Sequence, residues 1–331
     1  MKQYLLKLIE GETLSRRDTY DIMIGITQQR YNDCQIASLL MALQTRGVTV
    51  DELLGFRDGL IETGKKVNLD DYNTLDIVGT GGDGKNTFNI STCSAFVIAS
   101  CGYKVTKHGN GSATSVSGAS NVLQAHGVKF TDDESQLRRS LDKTNFCYLH
   151  APLFAYGMKY VGSTRRAMGI PTCFNLLGPF VNPCRPKNSL HGTANHDLQR
   201  LYVNAHQKIG DNYGVVTSYD GYDEISLTSG FKLITNYFEK VFTPKDLGLN
   251  YLDPHEIYGG STPEEAWKIF DSVLEGTSTE AQKNVIIANA ACGIAVMDRN
   301  QSIEDSVLMA REALESGKAL ETFKKFVELN S

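Results

Sequence analysis

The first 66 residues carry apolar side chains at helical spacing and contain no strand pattern. Apolar positions recur three or four residues apart, as on one face of a helix. These positions are Ile22, Met23, Ile26, Ile36, Leu39, Leu40 and Leu43. Ser15 and Asp33 are plausible N-caps, and Gly47 and Thr49 separate a further short helix. The sequence therefore predicts that this segment is entirely helical.

From Asp76 onward, short β-rich runs alternate with longer helical stretches. The runs cover residues 76–78, 104–106, 146–149 and 213–217. Such alternation is typical of a mostly parallel α/β sheet. A helical patch at 157–169 interrupts it. The chain is again largely helical from Thr262, an N-cap followed by Pro263.

A glycine cluster connects the first β-run to a helix start rich in hydroxyl groups. Gly79, Gly81, Gly82 and Gly84 allow tight turns and a close approach to an anion. Ser91 and Thr92 are expected to cap a helix from 94 to 101, whose amino terminus favours negative charge. We therefore interpret this segment as a phosphate site.

Two known phosphate-binding motifs fit this segment poorly. A Walker loop needs Ser or Thr after Lys85, where the chain has Asn86. The glycines satisfy G-x-G-x-x-G, but residues 100–110 lack the acidic residue that would bind a ribose. Lys104 and Lys107 stand there instead, which favours further phosphate contacts.

Composition restricts the class of protein. The chain has 331 residues, of which 41% are hydrophobic and 21% charged, and a net charge of −5. These values predict a soluble globular protein with no nucleic-acid partner. The seven cysteines form no C-x-x-C pair and are expected to be reduced thiols. The apolar runs are too short for a signal or a membrane span, so we expect a cytoplasmic protein.

Several motifs, in order, resemble those of the anthranilate phosphoribosyltransferases of tryptophan biosynthesis. Gly-Thr-Gly-Gly-Asp begins at 79, Asn-Ile-Ser-Thr at 89 and Lys-His-Gly-Asn at 107. Phe-Asn-Leu-Leu-Gly-Pro at 174 and Asp-Gly-Tyr-Asp-Glu at 220 agree with them. The resemblance spans nearly the whole chain.

The resemblance implies an α/β fold with two domains. A small all-helical N-terminal domain, 1–68, would be rejoined by 157–188 through hinges. A large α/β domain, 69–156 and 189–331, would bind the phosphoribosyl donor on a mostly parallel central sheet flanked by helices. Substrates would bind in the cleft between the domains, and the protein would be a homodimer.

The resemblance also implies the reaction and the residues that bind the donor. The phosphoribosyl group of phosphoribosyl pyrophosphate would pass to the amine of anthranilate, with positioning and electrostatic catalysis and no covalent residue. Lys107 is the cation expected to contact phosphate. The implied donor-binding residues are Gly79, Gly82, Asp83, Thr87, Asn89, Ile90, Ser91, Thr92, Lys107, His108, Gly109, Asn110, Gly111, Ser112, Ala113, Thr114 and Ser115.

Magnesium is the implied cofactor, with two ions held by Ser91, Asp223 and Glu224. Magnesium commonly takes one or two carboxylates together with substrate phosphates. Adjacent side chains of a strand point to opposite faces, so the Asp223–Glu224 pair is expected in a loop or at a strand end. From the residues alone, a solvated acidic turn remains an alternative interpretation.

Acceptor binding is implied for Gly79, Asn110 and Arg165, with the guanidinium of Arg165 on the anthranilate carboxylate. Arg165 and the adjacent Arg166 face different ways on a helix, so one of the two is expected to be a solvated surface residue. The chain departs from the usual family pattern at a few positions. These are Gly111, Ala119, Ala155, Tyr156, Gly157 and Pro171.

The departures leave two alternatives open. One is an enzyme of the same fold with another acceptor, including a pyrimidine nucleoside phosphorylase, which would not need Asp223 and Glu224. The other is a non-catalytic binding protein. It would predict a basic cleft, which the net charge of −5 disfavours.

Overall fold

The computed structural model describes residues 1–111 and 116–331. The chain forms two compact units. Met1–Val67 and Ala151–Arg185 make up the helical unit, and Asn68–His150 and Pro186–Ser331 make up the α/β unit. The second segment of the helical unit thus runs from 151 to 185, where the sequence suggests 157 to 188.

The helical unit is built from five helices within its described residues. They are α1 (Lys2–Ile9), α2 (Arg16–Thr27), α3 (Asp33–Arg46), α4 (Val50–Thr63) and α8 (Lys159–Met168). The predicted apolar face is confirmed, because Ile22, Met23, Leu39, Leu40 and Leu43 are all buried. Helix α2 packs along α4.

The helix starts follow the cap chemistry with one correction. The Ser15 side chain accepts a hydrogen bond from the Asp18 amide, and the Thr49 side chain accepts one from Glu52, as expected of N-caps. Asn32 caps α3 in place of Asp33, because the extended backbone of Asn32 lets its Oδ1 accept from the Gln35 amide at 3.0 Å. Asp33 is instead the first helical residue.

The helices of the α/β unit flank its sheet. They are α5 (Ile90–Ser100), α6 (Ala119–Ala125), α7 (Glu134–Thr144), α9 (His196–Ile209), α10 (Pro263–Leu274), α11 (Glu280–Met297), α12 (Ile303–Glu315) and α13 (Lys318–Asn330). Thr262 caps α10 through the Glu265 amide, with Pro263 in the first turn, as predicted. None of the helices in the described residues is long and apolar enough to cross a membrane.

A seven-stranded sheet, counted over the described residues, forms the centre of the α/β unit. Its strands are β1 (Thr74–Gly79), β2 (Lys104–Gly109), β3 (Phe146–His150), β4 (Asn188–Gly192), β5 (Asn212–Ser218), β6 (Phe231–Thr235) and β7 (Glu239–Phe242). The order is β3-β2-β1-β4-β5-β6-β7, parallel from β3 to β5 and antiparallel beyond. The predicted fold class is therefore confirmed.

Three strands and one helix boundary differ from the sequence prediction. β4, β6 and β7 were not expected. Helix α5 begins at Ile90 with Asn89 as its N-cap residue, so Ser91 and Thr92 lie in its first turn and do not cap a helix that starts at 94. The prediction was wrong because apolar Ile90 packs fully into the core and extends the helix toward the glycine loop.

Helix α5 is anchored in the core of the α/β unit by aromatic packing. The ring of Phe96 lies 4.1 Å from that of Phe146 and 5.0 Å from that of Phe323, measured between centroids. Such tilted and edge contacts add to the burial of these large side chains. The first turn of α5, which carries Ser91, is thereby held against the sheet.

Candidate active site

The strand order reverses between β1 and β4. From β1 the chain continues to β2 on one side, while β4 pairs with β1 on the other. In parallel α/β sheets, ligands bind beyond the carboxyl ends of the strands at such a switch point. The carboxyl ends of these two strands are Gly79 and Gly192, which are paired in register.

The Gly79–Gly192 pair makes room for Asp223. A Cβ at Gly79 would overlap the Asp223 carboxylate, and a Cβ at Gly192 would overlap the Asp223 backbone carbonyl. Asp223 follows β5 in the loop that leads to β6, which confirms the expected loop position of the acidic pair. Two missing side chains thus let this loop lie directly on the switch point.

The glycine loop after β1 wraps the same carboxylate. The Gly81 amide donates to Asp223 Oδ2 at 2.5 Å, and the Thr80 amide donates to the Gly192 carbonyl at 2.9 Å. Gly81 and Gly82 have φ values of 71° and 78°, which few other residues adopt. Asp83 accepts from the Lys85 amide through Oδ1 and from the Asp223 amide through Oδ2, at 3.0 and 3.4 Å.

Glu224 binds the start of helix α5. Its Oε1 accepts from the Ser91 amide at 3.0 Å, and its Oε2 accepts from the Thr87 hydroxyl at 3.3 Å. A carboxylate at a helix amino terminus is stabilised by the unpaired amides and the helix dipole. The first-turn amide of Ser91, predicted to favour a phosphate, is therefore engaged by a side chain of the protein itself.

Lys107, in β2, is a buried cation beside the first turn of helix α5. Its Nζ donates to the Ile77 carbonyl at 2.5 Å and to the Ser91 hydroxyl at 3.2 Å. Only 1% of the residue is exposed. The lysine that the sequence singles out thus lies within hydrogen-bond distance of Ser91, a predicted metal ligand.

Burial shifts the pKa values of the charged groups at this site. Burial, together with repulsion from Glu224 and Asp83, raises the pKa of Asp223 well above its usual range. Burial raises the pKa of Glu224 to about 7, against the opposing effects of the Ser91 amide and Lys107. Burial also lowers the pKa of Lys107 to about 8, although Asp76 and Glu224 oppose the change. A bound cation would relieve the repulsion among the carboxylates.

The side chains at this site offer oxygen atoms, which magnesium prefers as ligands. Ser91, Asp223 and Glu224 lie together with Asp83, and all four offer oxygen atoms. Within residues 1–111 and 116–331, no three acidic, His or Cys side chains gather closely enough to hold a metal. Magnesium held by one or two carboxylates commonly takes further oxygen ligands from substrate phosphates.

The remaining predicted residues of this segment differ in what they can offer a ligand. Ile90 and Thr92 are 0% and 1% exposed, so their side chains belong to the core. Asn89 donates from Nδ2 to the Ser117 carbonyl at 3.0 Å. Its Oδ1 is buried with no hydrogen-bond partner among the described residues.

The second loop follows β2. The His108 amide donates to Asp76 Oδ1 at 3.2 Å, which ties β2 to β1. Asn110 is exposed and forms a turn in which its Oδ1 accepts from the Gly111 amide at 2.8 Å. Gly109 ends the strand. Ser112, Ala113, Thr114 and Ser115 lie outside the described residues.

Arg165 belongs to the helical unit, whereas Gly79 and Asn110 belong to the α/β unit. Nη2 of Arg165 donates to Asn175 Oδ1 at 3.1 Å. Arg165 is half-buried, and burial lowers the pKa of its guanidinium. The neighbouring Arg166 is exposed, as expected from its different direction on α8.

Comparisons with known proteins bear on this arrangement. The profile of the glycosyl transferase family a/b domain matches residues 71–320, and that of the family's helical bundle domain matches residues 2–64. An anthranilate phosphoribosyltransferase of Bacteroides fragilis is 54% identical over 330 residues, covering 100% of both chains. The chain belongs to the anthranilate phosphoribosyltransferase family.

Solved structures of the family share the fold. The anthranilate phosphoribosyltransferase of Saccharomyces cerevisiae in complex with PRPP and Mg has a TM-score of 0.91 at 27% identity, covering 99% of this chain and 96% of that one. The same yeast protein in complex with 4-fluoroanthranilate has a TM-score of 0.89 at 26% identity, with the same coverage. The resemblance inferred from the motifs is thus confirmed.

Sequence reasoning missed two residues of this site. Gly192 ends β4, a strand whose polar sequence gave no β signal, although a glycine after a short run could have suggested a close backbone approach. Asp76 was noted only as part of the first β-run. It is fully buried and accepts from the His108 amide.

A substitution of Gly192 tests how tightly the site is built. In Gly192→Ala, the new Cβ must displace the backbone of Asp223, so we expect magnesium-dependent binding of phosphoribosyl pyrophosphate to weaken by at least about 30-fold, or roughly 2 kcal/mol. Isothermal titration calorimetry measures this. Gly162→Ala is the matched control, because its Cβ would come no nearer than 3.5 Å to Arg166. Equal binding by both variants would contradict the tight approach.

The strained charge of Glu224 predicts a pH dependence of stability. Its folded pKa of about 7 lies above the ordinary 4.5, so its contribution to stability is present at low pH and is lost as pH rises between these values. Glu224→Gln has no such titration. Without metal, the free energy of unfolding of Glu224→Gln should therefore increase relative to that of the parent as pH rises. The increase should be on the order of 2 kcal/mol between about pH 5 and pH 8.

Urea unfolding at both pH values measures this gain. Glu264→Gln, an exposed glutamate in α10, is the control and should follow the parent. A constant difference between Glu224→Gln and the parent across this range would show that the pKa of Glu224 is not raised.

Proposed function

We propose that this protein transfers the phosphoribosyl group of phosphoribosyl pyrophosphate to the amine of anthranilate. The products are phosphoribosylanthranilate and pyrophosphate, and the reaction is a step of L-tryptophan biosynthesis. The observation that carries the proposal is the pair of buried carboxylates, Asp223 and Glu224, bound to the glycine loop and to helix α5 beside Lys107. Relatives with this reaction in their names align with the whole chain.

The donor is assigned to the residues around this pair. The amides of the glycine loop, the buried Oδ1 of Asn89 and the Lys107 ammonium offer the polar contacts that a pyrophosphate and a ribose need. We assign the remaining phosphate contacts to the segment from His108 to Ser115. Two magnesium ions are assigned to Ser91, Asp223 and Glu224. When bound, magnesium neutralises negative charge on the leaving pyrophosphate.

The reaction needs positioning more than a reactive side chain. The bond between the anomeric carbon and the pyrophosphate oxygen breaks, and the anthranilate nitrogen forms the new bond and loses a proton. An aromatic amine is already neutral at pH 7, so no strong base is required. The residues of this site hold the donor and stabilise charge as it develops, and we assign no covalent role to any of them.

Acceptor recognition is assigned to Arg165, Asn110 and Gly79. The guanidinium of Arg165 can bind the anthranilate carboxylate bidentately. Its Nη2 donates to Asn175 Oδ1, and its guanidinium carries further N–H donors in the same planar fork. Asn110 is exposed just after β2, and its side-chain amide can hydrogen-bond a ligand.

The double variant Asp223→Asn, Glu224→Gln tests the function directly. Loss of anthranilate fluorescence is followed after mixing the protein with phosphoribosyl pyrophosphate and magnesium. We expect the parent to consume anthranilate and the variant to lose at least about 100-fold in rate, because the charge that places the metal is gone. Glu264→Gln should match the parent.

Two outcomes would contradict the proposal in different ways. If the parent binds phosphoribosyl pyrophosphate with magnesium but leaves anthranilate unchanged, the proposal that anthranilate is the acceptor is wrong. The departures at Gly111, Ala155 and Pro171 are then the place to look for another specificity. If the double variant keeps full activity, the metal assignment is wrong.

We further propose that the protein is a homodimer through its helical unit. A groove of about 860 Å³ on this unit is lined mainly by apolar residues of α1, α3 and the end of α8. Ile9, Met41 and Ile170 are 78%, 47% and 42% exposed there. Apolar side chains that gather in this way mark association surfaces. A second copy of the chain is the occupant that the family resemblance suggests.

A charged substitution in the groove tests the dimer. In the double variant Ile9→Glu, Met41→Glu, two carboxylates would have to be buried in the interface. We therefore expect the Kd of the dimer to rise by at least about 100-fold. Sedimentation velocity measures the change. Leu308→Glu, at an apolar position of α12 that is 64% exposed, is the control. A parent that sediments as a monomer would overturn the proposal.

We also infer a cytoplasmic location and two domains that correspond to the two units. All seven cysteines are free thiols, and five of them are buried. Free thiols of this kind are typical of a reducing compartment.

A further inference from the structure

Asn110 is presented at the end of β2 by contacts from two other elements. The Ser120 amide, in the first turn of α6, donates to the Asn110 carbonyl at 3.1 Å. The hydroxyl of Tyr148 lies against the preceding residue, Gly109. A Cβ at that glycine would come within 2.7 Å of the Tyr148 oxygen. Residues 109 and 110 are therefore contacted by both α6 and β3.

A single serine joins these two elements. Ser120 Oγ lies 2.8 Å from the Tyr148 hydroxyl and 2.8 Å from His150 Nδ1. Tyr148 and His150 are two residues apart on β3 and so project from the same face. The ring of Phe130 packs on both, with centroids 5.2 Å from Tyr148 and 4.3 Å from His150. Ser120 is 1% exposed and Tyr148 is 3% exposed.

The direction of these two hydrogen bonds depends on whether Nδ1 of His150 carries a proton. A serine hydroxyl donates one hydrogen bond, so one of its two neighbours must donate to it. If Nδ1 of His150 carries no proton, Tyr148 donates to Ser120 and Ser120 donates to His150. The reverse direction would leave the buried Tyr148 proton without the acceptor that Ser120 provides. Burial lowers the pKa of His150, which favours the neutral ring.

We propose that Ser120, Tyr148 and His150 are positioning residues for Asn110. Their hydrogen-bonded chain fixes the first turn of α6 against β3, and the Ser120 amide then holds the backbone carbonyl of Asn110 and with it the turn that carries the Asn110 side chain. This inference rests on the proposed role of Asn110 in substrate binding. It adds residues that act through Asn110 without touching the substrate themselves.

The first test is a double-mutant cycle. kcat and KM for anthranilate are measured for Ser120→Ala, Asn110→Ala and the double variant. Ser120→Ala should raise KM for anthranilate roughly fivefold, the effect of losing a hydrogen bond. If Ser120 acts through Asn110, the double variant should lose no more than Asn110→Ala alone. Losses that multiply would overturn the proposal.

Matched variants separate positioning from general damage to the fold. Ser306→Ala removes a buried hydroxyl in α12 that donates to the carbonyl of Ser302, the N-cap residue of the same helix, and should leave KM unchanged. His150→Asn keeps an acceptor near the Nδ1 position and should have the same kcat and KM for anthranilate as the parent. His150→Phe should instead raise KM as Ser120→Ala does. Tyr148→Phe keeps the ring packing and loses only the donor. If both Phe variants match the parent, the chain has no positioning role.

A second readout does not depend on the reaction. Hydrogen–deuterium exchange of peptides covering the Ser120 amide reports directly on its bond to Asn110. We expect exchange at least about tenfold faster in Tyr148→Phe and His150→Phe than in the parent. If the parent fails to consume anthranilate while these variants exchange faster, the proposed function fails and the positioning chain stands. Unchanged exchange overturns the positioning chain whatever the activity.

Discussion

The carboxylate of Asp223 occupies the space that a Cβ at Gly79 would need, and its backbone carbonyl occupies the corresponding space at Gly192. These two glycines are paired in register at the carboxyl ends of β1 and β4. Because the strand order reverses between these strands, the loops that follow them diverge and leave a gap above the sheet. The acidic loop enters this gap, and the glycine loop and α5 then bind it from two directions.

This arrangement concentrates ionisable groups where water is scarce. Asp83, Asp223 and Glu224 repel one another, and Lys107 compensates for only part of that charge. A site of this kind is costly for the empty protein and favourable once a cation and a polyanion are both present.

Much of the fold could be predicted from local patterns. The helices of the first 66 residues show apolar periodicity because one face of each packs on the core. The runs that became β1, β2, β3 and β5 are rich in apolar and β-branched residues because consecutive residues in them are buried on both faces of the sheet. β4 could not be predicted in this way. Its sequence, Asn-Ser-Leu-His-Gly, is largely polar, yet all five residues are buried between β1 and β5. Asn188 is hydrogen-bonded to Thr74 of β1 and Asn212 of β5, and the ring of His191 lies 3.0 Å from that of His206 in α9, measured between ring nitrogens. A single sequence does not show these partners.

By itself, the sequence determined which chemistry is available. The glycine cluster, Lys107 and the Asp223–Glu224 pair were visible as residue types with an affinity for phosphate and magnesium, and their motifs indicated the family. Only the tertiary structure decided how these groups meet. Asp223 is more than a hundred positions along the chain from Gly81, and their contact exists because two strands lacking side chains at their ends lie side by side. Periodicity reports which face of an element is buried, whereas the partner across a parallel sheet is set by the packing of the whole unit.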